Sequence, residues 1–147
     1  MADTQLRILD TDALSHIQRG RAPWVNRLQS FPPTQRAVTV ISMEEQLRGR
    51  LAQIARANPR ADISAMVDAY ARMEEAVVFF RTVRVLPFDE AAANRYLQLR
   101  QTYRRLGTND LRIAAIALSV NGVVVTANVP DFRQIQGLDI EDWSTTT

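Results

Sequence analysis

Four acidic residues carry the chemistry that this sequence most clearly predicts. Asp10, Glu45, Asp110 and Asp131 are far apart along the chain, yet each follows a predicted strand or begins a predicted helix. In a chain that alternates strands and helices, the carboxyl ends of parallel strands share one edge of the sheet, where ligands bind. Carboxylates gathered there repel one another unless a cation lies between them, and Mg²⁺ or Mn²⁺ prefers such oxygen ligands. The four residues therefore predict a metal-dependent enzyme that cleaves phosphodiester bonds.

Each of these acidic residues also has a purely structural interpretation. Asp10 suits the N-cap of a helix, and Glu45 could complete a capping box that begins at Ser42. Asp110 falls in a first helical turn, where the helix dipole favours negative charge, and Asp131 could be a turn residue. Separate structural roles do not require the four carboxylates to meet at one edge of the sheet. Their meeting is the prediction that distinguishes a functional site from unrelated caps and turns.

The elements that must position these residues follow from the hydrophobic pattern and the helix-capping residues. Short apolar, β-branched runs predict strands at 7–9, 37–41, 84–87, 123–126 and 138–140. Helices are expected at 13–19, 23–29, 42–56, 64–81, 89–105, 109–120 and around 132–135. The predicted N-caps are Thr11 or Asp12 for the first of these helices, Ser42 for the third, Asp62 or Ser64 for the fourth and Thr108 for the sixth. This alternation predicts an α/β fold, a three-layer α/β/α sandwich with a central parallel sheet.

Length and composition indicate a single soluble domain. The 147 residues fit one core, so we expect one domain over 1–147 with a frayed tail at 144–147. Asn58-Pro59 is expected to end the helix that begins near Ser42. The start has no secretory signal pattern, and no apolar run reaches the length of a membrane span, so we expect a cytoplasmic protein without membrane association. The chain has no cysteine, which excludes disulfides and thiolate metal sites.

Arginine supplies all 18 basic residues of the chain. Arginine is the better bidentate partner for phosphate, although genomic base composition would explain the bias equally well. His16 is the only histidine, which argues against histidine-based nucleophilic catalysis. No glycine-rich phosphate loop is present. A polyanionic substrate is therefore favoured only weakly by composition.

Four segments occur in order along the chain: ILDTDALS, VISMEEQLRG, GTNDLRIAAIAL and VVVTANVPDF. Together they resemble the PIN domain and, more narrowly, the VapC toxin ribonucleases of bacterial toxin–antitoxin pairs. The resemblance implies that Asp10, Glu45 and Asp110 match the family's first three metal-binding acids. Gln46 is a small departure from the family's E-L-x-x-G pattern around Glu45.

The fourth position of the family's site has two candidates in this chain. Asn128 stands two residues past Thr126, where the family carries Asp or Asn, and Asp131 follows three residues later and could act through a water. The resemblance also implies that Asp12 and Thr126 support the metal ligands. Arg112, two residues past Asp110, and Arg133, two past Asp131, are placed to contact substrate phosphate.

The resemblance implies a Mg²⁺- or Mn²⁺-dependent endoribonuclease that cleaves single-stranded RNA by a metal-activated water. It also implies a homodimer and inhibition by a VapB-type antitoxin. A helical hairpin from Met43 to about Arg81 would form part of the dimer surface and of the antitoxin-binding surface. Two alternatives stay open. One is a PIN-like binding or regulatory module whose carboxylates no longer catalyse, and the other is a metal-dependent DNase or phosphohydrolase.

Overall fold

A five-stranded parallel sheet lies at the centre of the structure, a computed structural model that describes residues 3–57, 60 and 62–145. The strands are β1 (Arg7–Leu9), β2 (Arg36–Thr39), β3 (Val85–Leu86), β4 (Val123–Val125) and β5 (Asp139–Glu141). Their order is β3-β2-β1-β4-β5, and each neighbouring pair is parallel. The direction in which successive strands are added reverses at β1. The carboxyl ends of β1 and β4 therefore flank a topological switch point, the usual place for a ligand.

Seven helices cover the two faces of this sheet in the described part of the chain. They are α1 (Thr11–Gln18), α2 (Ala22–Gln29), α3 (Val40–Arg56), α4 (Ile63–Thr82), α5 (Glu90–Thr102), α6 (Thr108–Ser119) and α7 (Val129–Arg133). The long helices α3 and α4 pack together as the predicted hairpin, and α5 packs along α6. A three-layer α/β/α sandwich with a parallel sheet is therefore confirmed.

Alternation along the central strands creates a core on each face of the sheet. Ile8 and Val124 belong to a cluster that includes the apolar residues of α5 and α6. Leu9 and Val125, one position further along each strand, belong to a second cluster formed with α1, α2 and the end of α4. Neighbouring side chains of a strand point to opposite faces, so burial on both faces explains why β4 is a continuous run of valine.

Three predicted helix starts were wrong. Asp10, not Thr11 or Asp12, is the N-cap of α1, and Gly107, not Thr108, precedes α6 without a side-chain cap. The helix α3 begins after Thr39, whose hydroxyl accepts a hydrogen bond from the backbone N–H of Ser42 at 3.2 Å. The β-branched residues at 40 and 41 suggested a longer strand, but the cap at Thr39 turns them into the first turn of a helix.

This shift overturns the structural alternative for Glu45. With α3 beginning at residue 40, Glu45 lies in the second turn, so it does not complete a capping box at Ser42. Further along, α5 ends at Thr102 rather than near 105, and α7 covers 129–133 rather than 132–135. The predicted helix end at Asn58-Pro59 and the last two tail residues lie outside the described residues. Within the described ranges, no helix combines the length and apolar character that crossing a membrane requires.

Candidate active site

Asp10 is the deepest of the predicted acidic residues. It follows β1 directly and caps α1, and its carboxylate accepts a hydrogen bond from the backbone N–H of Ala13 at 2.8 Å. Only 3% of the residue is exposed. This burial raises the pKa of Asp10 to about 7. Hydrogen bonds from the hydroxyl of Thr126 and the N–H of Ala13 partly offset the increase, whereas the negative charges of Asp12 and Asp110 add to it. A structural cap does not need this degree of burial beside other carboxylates.

Glu45 reaches the same edge of the sheet from α3. The hydroxyl of Thr11, the first residue of α1, donates a hydrogen bond to Glu45 Oε1 at 3.0 Å. The same hydroxyl oxygen lies 3.0 Å from the Ser42 hydroxyl. These contacts tie the start of α1 to α3 and hold Glu45 beside the residue that follows Asp10. Its neighbour Glu44 is exposed and pairs with Arg48 instead, as expected for a residue outside the site.

Asp110 lies in the first turn of α6 and is half-buried. Burial raises the pKa of the Asp110 carboxyl, and the negative charges of Asp131, Glu45 and Asp12 raise it further. The pKa of Asp10 also responds to Asp110. Interactions of this kind fall off with distance. Asp110 therefore lies within electrostatic reach of Asp10, Glu45 and Asp131, which come from distant parts of the chain.

Asn128 and Asp131 act together beyond the end of β4. The side-chain amide of Asn128 donates a hydrogen bond to Asp131 Oδ2 at 2.9 Å, and its backbone N–H donates to the Thr126 hydroxyl oxygen at 2.8 Å. Thr126 is fully buried and also bonds Asp10. Asn128 therefore orients Asp131, and Asp131 is the residue of the two whose charge acts on Asp110.

The donors that meet at this edge suit a hard divalent cation, because they are carboxylate oxygens supported by hydroxyl, amide and backbone N–H groups. The raised pKa values of Asp10 and Asp110 mark a place where added positive charge would be favourable. Among the described residues, no three histidine, cysteine, aspartate or glutamate side chains already form a set that could hold a metal ion. A cation would have to draw these side chains together or be held partly through waters, as Mg²⁺ commonly is.

Comparison with known proteins assigns this chain to a family. Residues 7–138 match the sequence model of the PIN domain. The chain belongs to the PIN domain family. A segment of 46 residues is 46% identical to ribonuclease VapC1 of Haemophilus influenzae strain R2866, and it covers 31% of this chain and 34% of that protein. The match thus spans about a third of that curated relative's length.

Solved structures extend the similarity over nearly the whole PIN domain. VapBC-1 from nontypeable Haemophilus influenzae is similar with a TM-score of 0.74 and 25% identity, over 95% of this chain and 99% of the other. DNA-bound VapBC from Salmonella typhimurium has a TM-score of 0.73 and 26% identity, over 95% and 98% of the two chains. The predicted resemblance to VapC proteins is therefore confirmed.

The two arginines expected near substrate differ in how this PIN domain holds them. The guanidinium of Arg112 donates a hydrogen bond to Asn109 Oδ1 at 3.0 Å and lies over the ring of Tyr96, 5.5 Å from its centroid. Arg133, at the end of α7, is exposed. Arg112 is thus held by Asn109 and Tyr96, and it projects from α6 about 200° away from Asp110. Arg133 is part of the exposed surface.

Sequence reasoning missed the residues that hold the acidic side chains in place. Thr11 and Ser42 lie in the same two segments as Asp10 and Glu45, so their hydroxyl groups were the available signal. His16 stacks on Trp24 with ring centroids 4.7 Å apart, away from the acidic residues, which agrees with a structural role.

Proposed function

We propose that this PIN domain is a Mg²⁺- or Mn²⁺-dependent endoribonuclease that cleaves single-stranded RNA. The observation that carries the proposal is the convergence of Asp10, Glu45, Asp110 and Asp131 at the switch point of the sheet. Like charges are brought together here at a cost in stability, which a purely structural arrangement of caps would avoid. The name of the similar H. influenzae protein, ribonuclease VapC1, supports RNA as the substrate.

In this proposal Asp10, Glu45 and Asp110 hold the cation, and Asp131 contributes its charge from the end of β4. A bound divalent cation would supply an activated water near neutral pH and would offset charge that develops on the phosphate. Thr11 keeps Glu45 directed at the site, and Asn128 keeps Asp131 there. The supporting hydrogen bonds therefore limit the freedom of the acidic side chains before any substrate arrives.

Two arginines are candidates to bind phosphates of the substrate. Arg112 is held by Asn109 and Tyr96, which reduces the side-chain entropy that is lost when a phosphate binds, but it projects from α6 about 200° away from Asp110. Arg133 lies exposed at the end of α7. We expect both arginines to bind phosphates that flank the cleaved bond rather than the scissile phosphate itself.

The direct test is cleavage of end-labelled single-stranded RNA with Mn²⁺ or Mg²⁺ against EDTA. We expect the Asp110→Asn and Glu45→Gln variants to lose at least about a hundredfold in cleavage rate, since each removes a charge that the cation needs. Glu44→Gln is the matched control, because Glu44 is adjacent on α3 but pairs with Arg48 outside the site. Equal rates for the Glu45→Gln and Glu44→Gln variants would refute the assignment.

The same experiment separates the alternatives. Metal-dependent cleavage of single-stranded DNA but not RNA would point to a DNase. Absence of cleavage of either, by a folded wild-type chain that binds Mn²⁺, would favour a binding or regulatory module. Loss of Mn²⁺ binding in the Asp110→Asn variant, measured by calorimetry, tests the metal site without depending on activity.

We also propose that the chain is the toxin of a toxin–antitoxin pair, forms a homodimer and is inhibited by a VapB-type antitoxin. The support is the similarity to structures of VapBC complexes. Five large apolar residues on α4 are exposed, namely Ile63, Val67, Tyr70, Val77 and Val78. This concentration on one helix of the hairpin suits a protein–protein surface. Light scattering of the chain alone, then with the product of a neighbouring small gene, tests both assemblies.

A further inference from the structure

A groove lined by four arginines lies beside the acidic site. It runs between α1, α3 and α4, encloses about 800 Å³, and is lined by Arg19, Arg50, Arg56 and Arg72 among other polar residues. We call it the arginine groove. Glu75 is its one acidic residue, so the groove is strongly positive while the adjoining edge of the sheet is negative.

The arginine groove contains hydrogen-bonding groups that lack partners. Within the described part of the chain, none of the four groove arginines takes part in an ion pair. Arg50 Nε and Gln53 Oε1 are buried and have no hydrogen-bond partner. Buried donors and acceptors are nearly always paired in native proteins. These two atoms therefore belong to residues of the groove wall whose hydrogen-bonding capacity is not fully used within the described residues.

The arginine groove begins on α3 at the residue that follows Glu45. Gln46 follows Glu45 on α3, and its side-chain amide exchanges two hydrogen bonds with that of Gln18 on α1, at 2.7 and 3.0 Å. Ser15, also in the groove, donates to the backbone carbonyl of Thr11. From Gln46 to Arg56 the groove follows α3 for about 15 Å, at the helical rise of about 1.5 Å per residue.

We propose that the arginine groove binds the phosphate backbone of the RNA strand that flanks the cleaved bond. This inference rests on the proposed function. The acidic site repels a polyanion, so an RNA that enters it needs a compensating attraction nearby, which the groove supplies. Guanidinium groups bind phosphate oxygens bidentately.

Gly49 offers a substitution that alters the charge of the groove without disturbing the fold. It lies within α3 and lines the groove, and an added Cβ there meets no atom within 4 Å. Replacing glycine inside a helix by glutamate or glutamine improves helix propensity in both cases. The Gly49→Glu variant therefore places a negative charge among the arginines, and Gly49→Gln is its neutral control of nearly equal size.

The experiment measures binding of a labelled single-stranded RNA in EDTA, where metal-dependent cleavage cannot proceed, over a range of salt concentrations. We expect the Gly49→Glu variant to bind at least about tenfold more weakly than Gly49→Gln, because a negative charge in the groove repels phosphates. The double variant Arg50→Gln/Arg56→Gln should flatten the plot of log K against log salt by about 1.4, since each lost phosphate contact on a single strand accounts for about 0.7.

A second double variant controls for the loss of two positive charges. Arg48 pairs with Glu44 outside the groove, and Arg84 precedes β3 at the opposite end of the sheet. The Arg48→Gln/Arg84→Gln variant should keep the wild-type salt slope. Equal slopes for the two double variants, or equal affinities for the two Gly49 variants, would overturn the proposal.

The outcomes also separate this inference from the nuclease assignment. RNA cleavage by the wild type, together with groove-independent RNA binding, would overturn the groove proposal and leave the nuclease intact. Groove-dependent RNA binding without any metal-dependent cleavage would overturn the nuclease assignment and leave the groove proposal intact. If polyglutamate binds in a groove-dependent manner and RNA does not, the groove instead takes an acidic segment of a partner protein, and the RNA proposal is overturned.

Discussion

The burial of Asp10 leads to a prediction about stability that does not depend on catalysis. In the Asp10→Asn variant, the side-chain oxygen of asparagine can still accept the hydrogen bond from the N–H of Ala13, so the cap of α1 is kept. What disappears is a negative charge that is buried beside Asp110. We therefore expect the metal-free variant to be more stable than the metal-free wild type above neutral pH.

The magnitude follows from the pKa of Asp10, which burial raises from its ordinary value of 3.8 to about 7. A shift of about 3 pKa units corresponds to about 4 kcal/mol. The folded state holds the proton more tightly than the unfolded state, so this contribution to stability is complete below pH 4 and is lost as the pH rises to 7. The amide of asparagine forms less suitable hydrogen bonds, which costs about 1–2 kcal/mol. We expect a net gain of about 2–3 kcal/mol for the variant at pH 8.

The assay is urea unfolding in EDTA from pH 4.5 to pH 8, with the stability difference between variant and wild type plotted against pH. Asp89→Asn is the matched control, because Asp89 also caps a helix, by accepting from the N–H of Ala92 at 3.0 Å, but is exposed. A pH-independent difference for Asp10→Asn, or a less stable variant at pH 8, would refute the reasoning.

Three further predictions concern packing and support of the site. Gly122→Ala should destabilise the fold by about 1–3 kcal/mol in urea unfolding, because a Cβ there lies 2.7 Å from Ile8 Cδ1; unchanged stability would contradict this. Thr11→Val should weaken Mn²⁺ binding in calorimetry by about 10–100-fold, since it removes the donor to Glu45, and wild-type affinity would exclude that role. Arg7→Met should destabilise the fold by about 1–3 kcal/mol, because Glu141 loses its cationic partner and keeps only the hydrogen bond from Trp143. Unchanged stability in thermal unfolding would contradict this prediction.

The architecture was predictable because the hydrophobic pattern of each strand matches the way in which the folded sheet is covered by helices. The valine run of β4 and the alternation of burial along β1 follow from a sheet covered on both faces. The start of α3 was not predictable in this way. Val40 and Ile41 favour a strand by their own propensity, and only the hydroxyl of Thr39 together with the packing of α3 makes them helical.

The acidic residues could be found from the sequence, but the contacts that hold them could not. Strand-end positions identify Asp10 and Asp131 as neighbours, because parallel strands share one edge. The hydrogen bond from Thr11 to Glu45 joins residues 34 positions apart and depends on how α1 lies against α3. The choice between Asn128 and Asp131 likewise depends on side-chain geometry, since one orients the other.

The net charge of +2 hides a separation of charge that decides how the proposed nuclease would meet RNA. The acidic edge repels phosphates until a divalent cation binds, whereas the arginine groove attracts them in the absence of metal. RNA affinity in EDTA should therefore come mainly from the groove, and addition of Ca²⁺ should increase affinity through the acidic edge. Separate sites contribute additively when they are more than about 10 Å apart. Arg56 lies eleven positions after Glu45 on α3, about 16 Å along the helix. The fold increase caused by Ca²⁺ should then be the same in the Arg56→Gln variant and the wild type. An increase confined to the wild type would mean that groove and acidic edge hold the RNA as one coupled site.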